Sequence, residues 1–306
     1  MKTTKRIAAV LALLAAACAS KKQPGFENAD EAARQLVQAL RENDVKRAEE
    51  ILGPGSEDLL NSGDEVADRN GRQKFVELYD EKHRLEQDAP DRCTLCVGEI
   101  DWPLPMPIIR SGDVWVFDTA AGADELINRR IGRNELGTIQ VCLAYCDAQR
   151  EYFEADRNGD GVLEYAQKIK SSEGKQDGLF WPAAEGEPQS PLGDLAAQAV
   201  KEGYGGNDPD SGPHPYHGYF YRILTGQGSH AQGGAFSYVA GGHMIGGFAL
   251  VAYPAEYGNS GVMSFIVDHD GAVFQKDLGD DTDKIAEAMK SFDPDPTWKA
   301  VGKETE

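Results

Sequence analysis

The feature that most constrains the fold is a proline-free stretch at 123–155 with apolar residues at helical spacing. It is the longest predicted element and separates the chain into two halves. Helical patterns and a hairpin precede it, and short β-rich runs separated by glycine turns follow it. This order predicts an α+β protein.

The first half, residues 26–122, is predicted to be an α+β domain of helices followed by a hairpin. Apolar residues at i, i+3, i+4 and i+7 predict a helix in the first part of 28–52, and a second short helix is expected at 45–52, where Gly-Pro-Gly ends it. Another helical pattern lies within 65–85. Runs at 97–109 and 114–117 have strand composition, and a Ser-Gly-Asp turn separates them. Alternating prolines in the first run predict an edge strand or bulges.

The second half, residues 123–291, is predicted to be the long helix plus an antiparallel-sheet domain. A short helix is expected at 192–202, with Ser190 as its cap, and another at 282–291. Residues 292–306 are predicted to be a polar tail. The predicted strands are 219–224, 247–253, 262–267 and 272–276.

Residues 1–17 have the composition of a signal peptide. Basic residues precede an apolar run at 7–17 that is too short to span a membrane, and Cys18 follows it. This end resembles a bacterial lipobox, in which the cysteine is acylated and becomes the mature N-terminus. Cleavage after Ala19 is the alternative. Residues 18–25 then form a lipid-anchored tether, and the resemblance implies an outer-membrane lipoprotein that faces the periplasm.

The net charge of the chain indicates which partners it can bind. The chain has 31 Lys and Arg against 51 Asp and Glu, a formal net charge of −20. Nucleic acid is excluded as a partner because phosphate binding needs an excess of Lys and Arg. The expected partners are the membrane, through the lipid anchor, and other envelope proteins. An acidic surface repels anionic headgroups, so the acyl chains must supply the attachment.

Four further cysteines form two pairs, Cys93 with Cys96 and Cys142 with Cys146. Two disulfides that join the first pair to the second would suit an oxidising envelope. A four-cysteine zinc site and a free or redox-active dithiol remain alternatives.

A second candidate site follows the long helix. Asp156, Asn158, Asp160 and the following glycine match the first half of a calcium loop, with Glu164 at the ninth place. The twelfth place is Gln167, where a bidentate carboxylate is needed. The EF-hand is therefore incomplete, and a polar turn at the end of the helix is the alternative. Calcium is the cofactor that this loop suggests.

Four histidines lie within thirty residues, at 214, 217, 230 and 243. His214 and His217, with Tyr219 and Tyr221 beside them, are candidates for a ligand groove. Their spacing does not indicate convergence on a metal ion, and strand packing is the alternative for the tyrosines.

A charged patch on the long helix contains Arg129, Arg130 and Arg133. An ion-paired helical face is the usual interpretation, and an anion site is the alternative. The chain contains no H-E-x-x-H, no phosphate-binding loop and no nucleophile elbow. No catalytic residue is predicted.

Several segments in fixed order resemble a bacterial exported family, domain-of-unknown-function family number 2950. The resemblance implies an envelope protein and supplies no reaction. The four cysteines are atypical of the family, which favours a local structural role for them. The segments that carry the resemblance are 59–64, 102–107, 115–122, 128–136, 144–152, 246–254 and 261–265.

Two further similarities concern the fold alone. The first half resembles a nuclear-transport-factor-2-like cone, and the second half is similar to the globular domain of a pseudopilin. Three classes of function remain. The first is a lipid-anchored binding or scaffold component of the envelope. The second is an enzyme that uses the cone pocket or the 214–243 loop, and the third is a structural module stabilised by calcium or zinc.

Overall fold

The computed structural model describes residues 23–183, 186, 189–204 and 214–302. The predicted signal peptide, Cys18 and most of the tether lie outside these residues. The helices are α1 (Ala29–Arg41), α2 (Val45–Leu52), α3 (Glu57–Leu60), α4 (Glu65–Glu81), α5 (Ala123–Phe153), α6 (Gly193–Lys201) and α7 (Thr282–Ala288).

The helices and the short antiparallel strands come in separate runs along the chain, so the predicted α+β class is confirmed. The first strands are β1 (His83–Ala89), β2 (Arg92–Val97), β3 (Trp102–Pro103), β4 (Ile108–Ser111) and β5 (Val114–Phe117). The others are β6 (Tyr219–Leu224), β7 (Gly226–Gln227), β8 (Phe236–Ser237), β9 (Val239–Ala240), β10 (His243–Met244), β11 (Ala249–Pro254), β12 (Met263–Asp268), β13 (Val273–Asp277) and β14 (Lys299–Ala300).

The N-terminal module (residues 26–122) packs α1, α2 and α4 against a sheet ordered β1-β2-β4-β5, with β3 paired to β2. Helix α1 begins where the Asn28 side chain accepts a hydrogen bond from the Glu31 N–H at 2.8 Å. Its apolar stripe, Ala32, Leu36 and Leu40 among others, is buried in the module's core. The predicted two helices within 28–52 are thereby confirmed.

The predicted strand at 97–109 is wrong as a single element. Gly98 (φ 73°) and Asp101 (φ 51°) turn the chain in the left-handed region, and the prolines break the ladder further. The run therefore separates into β3 and β4. Strand β1 has no counterpart in the predictions, because its mostly exposed residues lack the apolar alternation that identifies a strand.

The C-terminal module (residues 123–302) packs α5 across a sheet ordered β14-β13-β12-β11-β6. Adjacent residues of β6 show that both faces are covered, because side chains alternate across a sheet. The Tyr221 hydroxyl contacts Thr138 of α5 at 3.3 Å, and Arg222 donates to the carbonyls of Ala286 and Met289 at the end of α7. All six residues of β11 are buried between these layers.

Two local predictions in this module are corrected. The Ser190 side chain makes no capping hydrogen bond to α6. The residue at the N-cap position of this helix is Leu192. The residues after 291 do not leave the domain as a polar tail, since β14 pairs with β13 and both Phe292 and Trp298 are buried.

In the described part of the chain, no helix combines the length and the apolar character that crossing a membrane requires.

Candidate functional site

A cavity of about 720 Å³ lies between the N-terminal module and the first half of α5. We call it the interface cavity. Its walls are largely apolar, and its volume falls in the range of small-molecule sites. The apolar wall residues are Leu36, Leu40, Leu52, Leu59, Leu60, Ala67, Phe75, Leu78, Val97, Ile100, Trp102, Leu104, Met106 and Leu126.

The charged side chains of the interface cavity are mostly cationic, although the chain as a whole has a net charge of −20. Five cations and two carboxylates contribute to its wall. They are Arg72, Lys74, Arg129, Arg130, Arg133, Asp68 and Glu202.

Arg130 joins the two modules. Its guanidinium donates to the carbonyl oxygens of Asp58 and Leu59 at α3, and to the Asn259 side chain of the C-terminal module. Burial lowers the pKa of Arg130, but an arginine remains protonated in proteins. Three hydrogen bonds hold the guanidinium in place, so Arg130 supplies a fixed positive charge to the cavity wall.

Asp68 faces the same region. Its carboxylate accepts hydrogen bonds from the backbone N–H and the hydroxyl of Ser62, at 2.8 and 2.7 Å. Burial raises the pKa of Asp68, and the Ser62 hydrogen bonds together with Arg130 and Arg72 offset only part of that increase.

A buried carboxylate also joins the two modules. Asp64 is 1% exposed, and its Oδ1 accepts from the Ala67 N–H at 3.0 Å as the cap of α4. Its Oδ2 accepts from the Tyr204 hydroxyl and the Gly218 N–H, both at 2.8 Å. One side chain therefore starts a helix of the first module and holds two segments of the second.

His217 lines the cavity beside this carboxylate. Its Nε2 lies 2.8 Å from Glu202 Oε2, and its ring stacks on Tyr216 at 4.0 Å between centroids. Burial opposes ionisation of Glu202, but hydrogen bonds from Gln198 and His217 lower its pKa overall. His217 has a φ of 52°, a left-handed conformation that is costly outside glycine.

The other predicted groove residues lie elsewhere. His214 is exposed. Tyr219 is buried in the C-terminal core, where its hydroxyl donates to the Met263 carbonyl at 2.9 Å, and Tyr221 packs on α5. The assignment of both tyrosines to a groove is corrected, because β6 is covered on both faces.

The four cysteines are free thiols, so the structure does not form the predicted disulfides between the pairs. Cys93 faces the N-terminal core, and Cys142 and Cys146 face the C-terminal core. Cys93 and Cys96 lie three residues apart on β2, which directs them to opposite faces. That alternation also rules out a zinc knuckle formed by this pair. Burial raises the pKa of Cys146 to about 12, which makes its thiol unreactive.

The predicted calcium loop follows α5 as an exposed turn that contains Asp156, Asn158 and Asp160. The histidines beyond 217 separate from one another. His230 pairs with Asp293 at 3.0 Å, whereas His243 lies next to Asp160 and Glu164.

Sequence reasoning identified His217 and the three arginines of α5, but it missed Asp64, Glu202 and Tyr204. Asp64 carried a usable signal, because an aspartate before an apolar-periodic run is a helix cap. Its contacts with Tyr204 and Gly218 span 140 and 154 residues, which no local pattern could indicate.

Three of the segments that carry the family resemblance meet at the interface cavity. Residues of 59–64, 102–107 and 128–136 all contribute to its wall. The fold and the cavity thus define the class of protein. It is an α+β protein with a cavity large enough for a small-molecule ligand between its two modules.

The chain belongs to the family described as "Protein of unknown function (DUF2950)", whose model matches residues 23–301. Comparison of this chain with curated proteins and with solved structures found no match.

Proposed function

We propose that this protein is a lipid-anchored envelope protein that binds a single-chain amphiphilic anion, such as a long-chain fatty acid, in the interface cavity. One observation carries the proposal. A strongly acidic chain places five cationic side chains, against two carboxylates, on the wall of a largely apolar cavity. An apolar chain fits such walls, and an anionic headgroup fits the cations.

Arg133 is the side chain that best meets the headgroup. It is exposed, and it has no hydrogen bond or ion pair with any described residue. By contrast, Arg129 pairs with Glu125 at 2.7 Å and lies 5.6 Å from the centre of the Trp102 ring. Arg130 is bound to fixed acceptors, so Arg133 has the free donors for a carboxylate.

The expected location supports this choice of ligand. The basic residues, the short apolar run and Cys18 are the features of a lipoprotein signal. An acylated N-terminus would keep the cavity next to a membrane, which is the source of fatty acids.

The anchor has a direct test. In cells supplied with radiolabelled palmitate, we expect the wild-type protein to carry label and Cys18→Ser to carry none, because the acylated thiol is absent. Cys93→Ser is the matched control, since it removes a buried thiol and leaves Cys18 intact. Equal labelling of Cys18→Ser and wild type would contradict the anchor.

Ligand binding is tested by displacement of a fluorescent fatty-acid probe from full-length Cys18→Ser protein, in which no attached acyl chain competes. We expect palmitate to displace the probe. Arg133→Ala should lower the affinity for palmitate about tenfold, because a charge-assisted hydrogen bond is lost. Hexadecanol has the same chain without the charge, so Arg133→Ala should leave its affinity unchanged.

Arg110→Ala provides the control, because Arg110 is exposed on β4 and outside the cavity wall. It removes one positive charge without touching the site, and palmitate affinity should stay at the wild-type value. Equal losses in Arg110→Ala and Arg133→Ala would show a general charge effect and would contradict the proposed headgroup site.

Catalysis by His217 is a second candidate, favoured by its contact with Glu202. A carboxylate that orients an imidazole is a common arrangement for a general base. A base must also direct its other nitrogen at the substrate. His217 Nδ1 instead faces the helix backbone, because a Cβ placed on Gly137 of α5 would lie 3.2 Å from it. Both ring nitrogens are therefore directed at protein, which favours binding over catalysis.

A further inference from the structure

Three side chains of the kinds that commonly bind metal ions meet where the loop after α5 crosses β10. Asp160, Glu164 and His243 each offer a ligand atom, and these atoms all lie within 4.8 Å of one another. The backbone holds this arrangement, since the Tyr165 N–H donates to the Met244 carbonyl at 2.8 Å.

His243 Nδ1 faces both carboxylates without forming a hydrogen bond to either. The atom is buried and has no hydrogen-bond partner in the described part of the chain. It lies 3.3 Å from Glu164 Oε2 and 3.6 Å from Asp160 Oδ2. Ligands held about 2.0–2.2 Å from a tetrahedral zinc ion are separated by about 3.3–3.6 Å, so the three atoms have the spacing of ligands that share one ion.

A neighbouring amide orients both carboxylates. Asn158 Nδ2 donates to Asp160 Oδ2 at 2.8 Å and to Glu164 Oε1 at 3.0 Å. The remaining oxygen of Asp160 accepts from the Val162 N–H at 2.9 Å. Metal ligands in proteins are typically fixed by such outer hydrogen bonds, and here those bonds leave Glu164 Oε2 directed at His243.

The donor set differs from that of the predicted calcium loop. Asp156, the expected first calcium ligand, uses Oδ1 for the N–H groups of Asn158 and Gly159 and Oδ2 for that of Gly161. Calcium takes six to eight oxygen ligands, whereas one imidazole with two carboxylates suits first-row transition metals. We propose that Asp160, Glu164 and His243 bind a divalent transition-metal ion, with a fourth position open to water or an external ligand.

The test is calorimetric titration of Zn²⁺ into full-length protein carrying Cys18→Ser, which removes the thiol of the signal segment as a competing ligand. We expect one saturable zinc site, weakened at least about tenfold in both His243→Ala and Glu164→Gln. Excess Ca²⁺ should not compete. His230→Ala is the matched control, because His230 also contacts a carboxylate, that of Asp293, but lies outside the cluster.

Glu164→Gln decides the result if His243→Ala fails to fold, since it preserves the shape of the side chain. The proposal is overturned if no saturable zinc binding occurs, or if the variants of the cluster bind zinc as tightly as His230→Ala does. Displacement of Zn²⁺ by an equal concentration of Ca²⁺, with loss of calcium binding in Asp156→Ala, would assign the loop to calcium instead.

Discussion

Replacement of Asp64 with alanine should lower the free energy of unfolding by about 3–5 kcal/mol. Loss of a helix cap accounts for about 1 kcal/mol of this. The Tyr204 hydroxyl and the Gly218 N–H also lose their acceptor. An unsatisfied buried donor costs about 1–3 kcal/mol, which applies to the buried Gly218 N–H, whereas the half-buried Tyr204 hydroxyl should cost about 1 kcal/mol, the lower end of that range. Urea denaturation of the wild type and the variant measures the difference.

Asp44→Ala is the matched control. Asp44 caps α2 through the Arg47 N–H at 2.9 Å, but it is exposed and spans no interface. Its loss should cost only the capping contribution of about 1 kcal/mol. Tyr204→Phe, which removes one of the two distant donors, should fall between the two. If Asp64→Ala cost no more than Asp44→Ala, the proposed coupling of the modules would be wrong.

Local elements of this fold are predictable from sequence because their signals are local. The predicted limits of α2 at 45–52 and of β6 at 219–224 match the structure. In both cases periodicity agrees with the residues that end the element. The prediction of one strand at 97–109 fails because apolar content continues through a turn that positive φ angles at Gly98 and Asp101 create.

The candidate site is less predictable, because its parts are distant in the chain. The arginines of α5 were identifiable as a patch, but the pattern could not decide between a solvated face and a cavity wall. That distinction depends on Trp102 and on α3, which contact α5 only in the folded protein. The cysteine pairs show the same limit, because Cys-x2-Cys has a different meaning on a strand than in a turn.

The interface that forms the cavity also couples it to folding. Arg130 and Asp64 bind both modules. Arg130 is part of the cavity wall, and Asp64 contacts Tyr204, which is another wall residue. A ligand that contacts both modules must therefore add to the stability of the interface, because it binds the folded state alone.

Gly122→Ala should destabilise the protein by about 3 kcal/mol, the upper part of the range for overpacking a buried site. A Cβ on this residue would lie 2.4 and 2.5 Å from the carbonyl carbon and oxygen of Pro105, and 2.6 Å from the Met106 nitrogen. These are backbone atoms, so no side-chain rotation relieves the contact. The start of α5 would have to move away from the loop before β4. Thermal and urea unfolding measure the cost.

Gly132→Ala, within α5, should instead stabilise the protein. A Cβ there meets nothing within 4 Å, and alanine is favoured over glycine in a helix interior by up to about 1 kcal/mol. Met106 lines the cavity, so Gly122→Ala should also lower the affinity for palmitate, whereas Gly132→Ala should leave that affinity unchanged. A stable Gly122→Ala variant with wild-type affinity would mean that α5 does not pack against this loop, and the cavity wall described above would then be wrong.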